Sequence, residues 1–248
     1  MRRWIIEQST IPLHYKGRLM CCTAGVHEEV GKLVEKFVPP DARESTRVLD
    51  LGAGAGALCQ RMYDLGFKDI TAWDLNPENL QDLADLKIDG VDLNSDFGDQ
   101  ANISGQFDLI IAVEIIEHLE NPYHFARQLK LLLAPDGTVI VSTPNIESAA
   151  SRIHFLRSAD FRWFSDYFYQ DSGHITPLTI WQLTKIYDRA RLQIAEQSHT
   201  MHDAIVIRDK GGPGTYRTPL FALAIYPFML GHRDGDIHVM AVQHRQEM

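Results

Sequence analysis

The sequence predicts an α/β fold, a doubly wound and mostly parallel sheet of seven strands with helices on both faces. Strand-like apolar segments alternate with amphipathic helical segments through the middle of the chain, which is typical of β-α-β units. The segment FDLIIAVEI (107–115) is apolar almost throughout, as a central parallel strand buried on both faces should be. A glycine run, GAGAG (52–56), follows the first such strand and precedes a helix. In open α/β sheets a ligand approaches the backbone at this place.

The first half of the chain supplies four strands of the predicted sheet. They are RVLDL (47–51), DITAWDL (69–75), IDGVDL (88–93) and FDLIIAVEI (107–115). A helix follows the glycines and stops at Gly66. Asn76 as N-cap and Pro77 in the first turn predict a second helix, which buries Leu80 and Leu83.

The second half supplies two more helices and three strands. Asn121 and Pro122 begin one helix, Thr176 and Pro177 begin another, and APDG (134–137) is predicted to be a turn. The strands are TVIVSTP (138–144), LQIAEQSHTM (192–201) and GDIHVMAVQHR (235–245). Two segments do not fit this alternation: an aromatic one from 145 to 173, and a glycine-rich and apolar one from 202 to 236.

Composition excludes several classes of protein. The 248 residues are 45% apolar and 23% charged, with a formal net charge of −9, which argues against a nucleic-acid partner. Three cysteines without a Cys-x-x-Cys pair predict no thiolate zinc site and a reducing, cytoplasmic setting. No signal peptide is expected. The apolar segment LFALAIYPFMLG (220–231) is too short to span a membrane, so weak contact with a membrane surface is the most it allows.

The glycine run by itself leaves the ligand open. Gly52, Gly54 and Ala57 satisfy the dinucleotide pattern G-x-G-x-x-A, whereas Gly52, Gly54 and Gly56 satisfy G-x-G-x-G. The acidic residues at the strand ends discriminate better: they are Asp50, Asp74, Asp92 and Glu114. Carboxylates disfavour a pyrophosphate and favour a cation, so this edge suits the sulfonium and amino groups of S-adenosylmethionine better than a nicotinamide dinucleotide.

Four ordered motifs carry a family resemblance over residues 47–145. VLDLGAGAGALCQRM, AWDLNPENL, VDLN and the stretch from FDLIIAVEI to STPN resemble, in that order, the motifs of class I S-adenosylmethionine-dependent methyltransferases. The string from Glu114 to Leu119 is similar to that of ubiquinone-biosynthesis-type O-methyltransferases. The resemblance implies a Rossmann-like fold and S-adenosylmethionine as cofactor.

The resemblance also implies a set of cofactor-binding residues: Asp50, Gly52, Ala53, Gly54, Gly56, Asp74, Leu75, Asp92, Leu93 and Glu114. The glycine loop would approach the methionine part and the ribose, and Asp50 would orient the loop from behind. Asp74 would bind the ribose hydroxyls, with Leu75 against the adenine. Asp92 would take the adenine amino group beside Leu93, a role that Asp96 and Phe97 could fill instead. Glu114 would form the floor under the sulfonium.

Three residues are the predicted catalytic candidates. A hydroxyl acceptor must lose its proton, and a neutral histidine suits that task, so His118 and His174 are candidates, followed by Glu117. Each has a structural alternative. His118 could simply hydrogen-bond at the corner between strand and helix. His174 could hold the Thr176 cap, and Glu117 could be an acidic residue in the first turn of a helix.

The same residues raise a metal-assisted alternative. Glu114, Glu117, His118 and a distant His174 are similar to the ligand set of small-RNA 2′-O-methyltransferases. That family's downstream segment is missing and the charge is wrong for RNA, so we expect no metal.

The predicted domain is single, 1–248. Residues 1–45 form an N-terminal helical cover with a helix near 25–38, and residues 46–145 form the cofactor-binding core. The additions 146–175 and 202–236 shape the acceptor site.

The predicted function is methyl transfer to a small-molecule acceptor, through a hydroxyl of a quinone precursor, a lipid-linked intermediate or a sugar. The rivals are a non-catalytic cofactor-binding partner subunit and a nicotinamide-dependent reductase, although no Tyr-x-x-x-Lys pair supports the latter. No oligomeric state follows from the sequence.

Overall fold

The computed structural model describes residues 13–80, 86–200 and 235–246, and these form the predicted seven-stranded sheet. A two-stranded hairpin precedes it. The strands are β1 (His14–Tyr15), β2 (Arg18–Leu19), β3 (Arg47–Leu51), β4 (Asp69–Asp74), β5 (Lys87–Gly90), β6 (Phe107–Ala112), β7 (Leu133–Pro144), β8 (Leu192–Thr200) and β9 (Ile237–His244). The order of the large sheet is β5-β4-β3-β6-β7-β9-β8, and only β9 runs antiparallel to its neighbours. The predicted fold class is confirmed.

Helices join most of the strands. They are α1 (Val26–Phe37), α2 (Ala57–Asp64), α3 (Ala101–Ser104), α4 (Pro122–Leu132), α5 (Ala149–Ser158), α6 (Asp166–Asp171) and α7 (Ile180–Arg189). Short 3₁₀ turns occupy Pro77–Asn79, Phe97–Gln100 and Ile116–His118. Among the described helices, none is long and apolar enough to cross a membrane.

The central strands of the sheet are buried on both faces, as their apolar sequences require. Helices α1 and α2 cover one face, where Val30, Met62 and Ile111 belong to one buried cluster. Helices α4 and α7 cover the other face, where Leu129 and Tyr187 belong to one cluster with the sheet. Both layers leave the carboxyl ends of β3, β4, β5 and β6 along one edge, which is where ligands bind in this architecture.

Several predicted boundaries were wrong. The helix expected at Thr176 begins instead at Ile180, because Thr179 and Gln182 form a capping box. The predicted turn APDG lies inside β7, where pairing passes from Leu133 directly to Thr138 and leaves these residues as a bulge. The helix expected at Asn76 is a single 3₁₀ turn in the described residues, and Leu83 lies outside them.

The predicted additions are described in part. The hairpin and α1 lie before β3, and the aromatic segment contains α5 and α6. Residues 1–12 and 201–234, and with them the predicted glycine-rich loop and apolar 12-mer, lie outside the described residues. The division of the chain into cover, core and additions stays a prediction.

Candidate functional site

The glycine loop after β3 has a backbone that only glycine adopts readily. Gly52, Gly54 and Gly56 have φ of 71°, 53° and 76°. A Cβ on Gly52 would lie 2.0 Å from Cδ1 of Ile115. The Gly52 and Ala53 amides both donate to the carbonyl of Trp73, at 2.7 and 3.1 Å. The loop is thus folded back over the end of β4, and the Ile115 side chain leaves no room for a Cβ at Gly52.

Asp74, at the end of β4, fastens this loop. One carboxylate oxygen accepts from the Gly54 amide at 2.8 Å, and the other accepts from the Asn76 amide at 2.8 Å. The carboxylate is only partly buried, so it retains acceptor capacity toward the cleft. Its predicted role toward ribose hydroxyls stays a prediction.

Asp50 is buried near the end of β3, just before the glycine loop, and its role in orienting the loop stays a prediction. Only 2% of its surface is exposed, and its carboxylate accepts from the Cys59 thiol at 3.0 Å. Burial raises the pKa of Asp50 to about 6, an effect that the nearby Asp74 carboxylate reinforces. Asp50 also lines a narrow cavity that the glycine loop shares with α1.

The predicted adenine contacts lie farther along the edge. Asp92 is exposed and accepts from the Asn94 amide at 2.9 Å, while Leu93 beside it is buried. Leu75 is 67% exposed just beyond Asp74. Phe97, the alternative to Leu93, packs against Trp73 in the core. These adenine-binding roles stay predictions.

Glu114 leaves the sheet in a strained conformation. Its φ is 52°, which costs free energy in a residue other than glycine. The Ser142 hydroxyl holds it at two points: it accepts from the Glu114 amide at 2.9 Å and donates to the Glu114 carboxylate at 2.8 Å. Burial raises the pKa of Glu114 to about 7. The Ser142 hydroxyl thus fixes both the backbone and the carboxyl group of Glu114, and the predicted role of Glu114 under the sulfonium stays a prediction.

Glu117 is fully buried and lies in the first turn of the 3₁₀ segment Ile116–His118. Its Oε2 accepts from the Thr143 hydroxyl at 3.0 Å, and its Oε1 finds no hydrogen-bond partner in the described part of the chain. Burial, together with the charge of Glu114, raises the pKa of Glu117 well above its ordinary value. Its carbonyl accepts from the amides of Ile175 and Thr176, which ties this turn to the approach of α7.

His118 and His174 meet although 55 residues separate them in sequence. Their ring centroids are 4.8 Å apart. Nδ1 of His118 lies 3.3 Å from the Gly173 carbonyl, and Nδ1 of His174 lies 2.8 Å from the Trp163 carbonyl. A carbonyl oxygen only accepts, so Nδ1 carries the proton in each ring and the lone pair lies on Nε2. His174 therefore does not hold the Thr176 hydroxyl, which donates to the carbonyl of Leu119 instead.

The two imidazoles and the Glu117 carboxyl group form one cluster. One ligand-type atom from each of these three residues lies within 4.8 Å of the others. Burial lowers the pKa of both histidines, so both are neutral near pH 7 and can accept a proton. Glu114 is turned toward Ser142 and is not in this cluster.

Sequence reasoning missed three members of the site. Ser142 and Thr143 end β7 and hold Glu114 and Glu117, and the strand-end rule that found the other acids would have found them too. Trp163, whose carbonyl fixes the His174 ring, has no signal in the local sequence.

The residues at the carboxyl ends of the parallel strands fit S-adenosylmethionine. Gly52 and Ala53 of the glycine loop line one narrow cavity together with Asp50, which places the loop backbone against this cavity. Carboxyl groups at the ends of β3, β4 and β6 match the cationic sulfonium and amino groups of this cofactor.

Comparisons with known proteins point to the same family as the sequence motifs. A family model described as "Methyltransferase domain" matches residues 23–197. A ubiquinone biosynthesis O-methyltransferase of Rhodopseudomonas palustris (strain TIE-1) is 27% identical over 68% of this chain and 67% of that protein. Another, of Caulobacter sp. (strain K31), is 34% identical over 41% of this chain, and that match spans only 42% of the relative.

A solved structure supports the fold. A SAM-dependent methyltransferase of Archaeoglobus fulgidus has a TM-score of 0.58 at 14% identity, covering 87% of this chain and 93% of that one. Since the family model covers well over half of the sequence, the chain belongs to the methyltransferase-domain family, and its fold is that of class I S-adenosylmethionine-dependent methyltransferases.

Proposed function

We propose that this methyltransferase methylates a hydroxyl group of a small-molecule acceptor, with His118 or His174 as general base. The observation that supports this proposal most directly is the cluster of His118, His174 and Glu117, beside the sheet edge where the cofactor is predicted to bind. The backbone carbonyls leave both Nε2 lone pairs free for a proton, and both rings are neutral at the pH of a cell.

The chemistry that the cofactor supplies is a methyl group on a positively charged sulfur. In such a transfer the acceptor oxygen would bond to the methyl carbon while the carbon–sulfur bond broke and returned its electron pair to sulfur. The hydroxyl proton passes to Nε2 of the histidine. Glu117 lies in the same cluster as both imidazoles. Positioning of the acceptor in line with the sulfur supplies much of the rate.

Histidine variants test the base. His118→Ala or His174→Ala, whichever removes the base, should lower turnover about a hundredfold or more while changing the affinity for S-adenosylhomocysteine by less than about threefold. His244→Ala is the matched control, since this histidine lies at the opposite edge of the sheet beside Leu133. Full activity in both site variants would remove the histidine base.

A metal-assisted form of the same reaction is the second candidate. Two Nε2 lone pairs and an unpartnered, buried carboxylate oxygen are the ligand types that divalent transition metals accept. The unpartnered Glu117 oxygen favours this form, although the net charge of −9 still argues against an RNA acceptor. Turnover that survives dialysis against a chelator supports the base, whereas loss that added Mn²⁺ or Zn²⁺ restores supports the metal.

The aromatic segment favours an acceptor with a flat, apolar part. Phe164 and Phe168 lie 5.5 and 6.0 Å from the His174 ring, centroid to centroid, and Trp163 packs on Phe168. We therefore expect radiolabelled methyl transfer to dihydroxybenzoates or prenylated quinols, which resemble quinone precursors, and less to sugars.

The alternative of a non-catalytic partner subunit predicts a different result in these assays. Binding of S-adenosylmethionine with no turnover on any of these acceptors would support the non-catalytic partner subunit. The cytoplasmic location and weak contact with a membrane surface stay predictions from composition.

A further inference from the structure

A buried histidine outside all the sequence motifs lines a cavity beside the glycine loop. His27 is the second residue of α1, and only 4% of its surface is exposed. It lines one cavity together with Cys21, Cys22, Asp50 and Gly52. The cavity therefore connects the start of α1 with the first residue of the glycine loop.

One ring nitrogen of His27 is unsatisfied. Nδ1 is buried and has no hydrogen-bond partner across residues 13–80, 86–200 and 235–246. Buried polar atoms almost always have a partner, so a ligand in the cavity is a natural candidate. Burial, reinforced by the charge of Arg61, lowers the pKa of His27 to about 4. The ring is therefore neutral at pH 7 and carries one N–H donor.

The start of α1 favours an anion at the same place. The helix is twelve residues long, and its N-cap, Gly25, has a φ of 88° and provides no side-chain cap. Uncapped amides at a helix N-terminus, together with the helix dipole, attract negative charge. Asp50 lines the same cavity and instead suits a positive group. The cavity thus offers partners for both charges of an α-amino acid.

We propose that His27 donates a hydrogen bond from Nδ1 to the α-carboxylate of the methionine part of S-adenosylmethionine, at the N-terminus of α1. This inference rests on the cofactor and not on the acceptor or on the catalytic base. It makes His27 a cofactor-binding residue that recognises the amino-acid end of the donor.

Calorimetric titration of the full chain with two ligands tests the proposal. S-Adenosylhomocysteine carries the carboxylate, whereas 5′-methylthioadenosine lacks the whole amino-acid end. The matched variants are His27→Asn, whose amide nitrogen takes the place of Nδ1, and His27→Asp, which has the same shape but no donor. His27→Leu removes the polar group altogether, and thermal unfolding confirms that each variant is folded.

We expect His27→Asn to bind S-adenosylhomocysteine within about threefold of the unaltered protein. His27→Asp and His27→Leu should bind it about ten- to a hundredfold more weakly, as for a lost hydrogen bond to a charged group. None of the three should change the affinity for 5′-methylthioadenosine by more than about twofold.

Two results would overturn the proposal. One is unchanged affinity of His27→Asp and His27→Leu for S-adenosylhomocysteine. The other is equal weakening for both ligands, since His27 would then only maintain the shape of the cavity. Inactivity of the enzyme on every acceptor would refute the proposed function and leave these binding results intact, so the two failures are distinguishable.

Discussion

Replacing Gly52 by Ala tests whether the glycine loop must keep its observed backbone to bind the cofactor. Gly52 has a φ of 71°, and an added Cβ would lie 2.0 Å from Cδ1 and 2.9 Å from Cγ1 of Ile115. Holding an L-residue in the left-handed region costs about 1–2 kcal/mol. The free loop can relax to avoid this cost, but binding must restore it. At about 1.4 kcal/mol per factor of ten, S-adenosylhomocysteine should bind about five- to thirtyfold more weakly.

Gly66→Ala is the matched control for this experiment. Gly66 follows α2 with a φ of 101°, and no described atom lies within 4 Å of a Cβ placed there. Urea unfolding should show that Gly66→Ala loses stability through backbone strain, whereas calorimetry should show weaker binding only for Gly52→Ala. If Gly52→Ala binds the ligand within about twofold of the unaltered protein, cofactor binding does not require glycine at position 52.

Three further predictions follow from buried polar contacts. Burial raises the pKa of Asp50 from 3.8 to about 6, so the folded state retains a proton that the unfolded chain loses, and stability falls as pH rises from about 4 to about 6. The fall is about 3 kcal/mol at 1.36 kcal/mol per pKa unit. Asp50→Asn should remove it in urea unfolding at pH 4 and pH 7, and parallel pH profiles would contradict this account. Arg162→Ala leaves Asp236, 2% exposed, without its 2.7 Å partner. It should cost about 3 kcal/mol in urea unfolding, partly restored by adding Asp236→Asn, and the lack of any restoration would count against the ion pair. Ser142→Ala removes both bonds to Glu114 and should weaken S-adenosylmethionine binding about tenfold in calorimetry. Ser142→Thr keeps the hydroxyl and should bind normally, so equal weakening by both variants would argue against the hydrogen bonds.

The sequence by itself determined the fold class and the cofactor edge. Apolar, strand-length segments such as 107–115 alternate with helices, and this pattern is local in the chain. The parallel arrangement then brings the residues that end consecutive strands to one edge, which is why Asp50, Asp74 and Glu114 were found as a group. Helix starts were predicted well where the cap is local, as at Asn121, whose side chain accepts from the His124 amide.

Only the tertiary structure decided how the rest of the site assembles. His118 and His174 meet because the segment before α7 crosses the end of β6, where the Glu117 carbonyl accepts two of its amides. The left-handed turn at Glu114 exists because a hydroxyl from β7 holds it. His27 reaches the cavity only because α1 packs beside the glycine loop. Each of these contacts joins segments that are distant along the chain, and the free energy of such a contact depends on packing that no short stretch of sequence encodes.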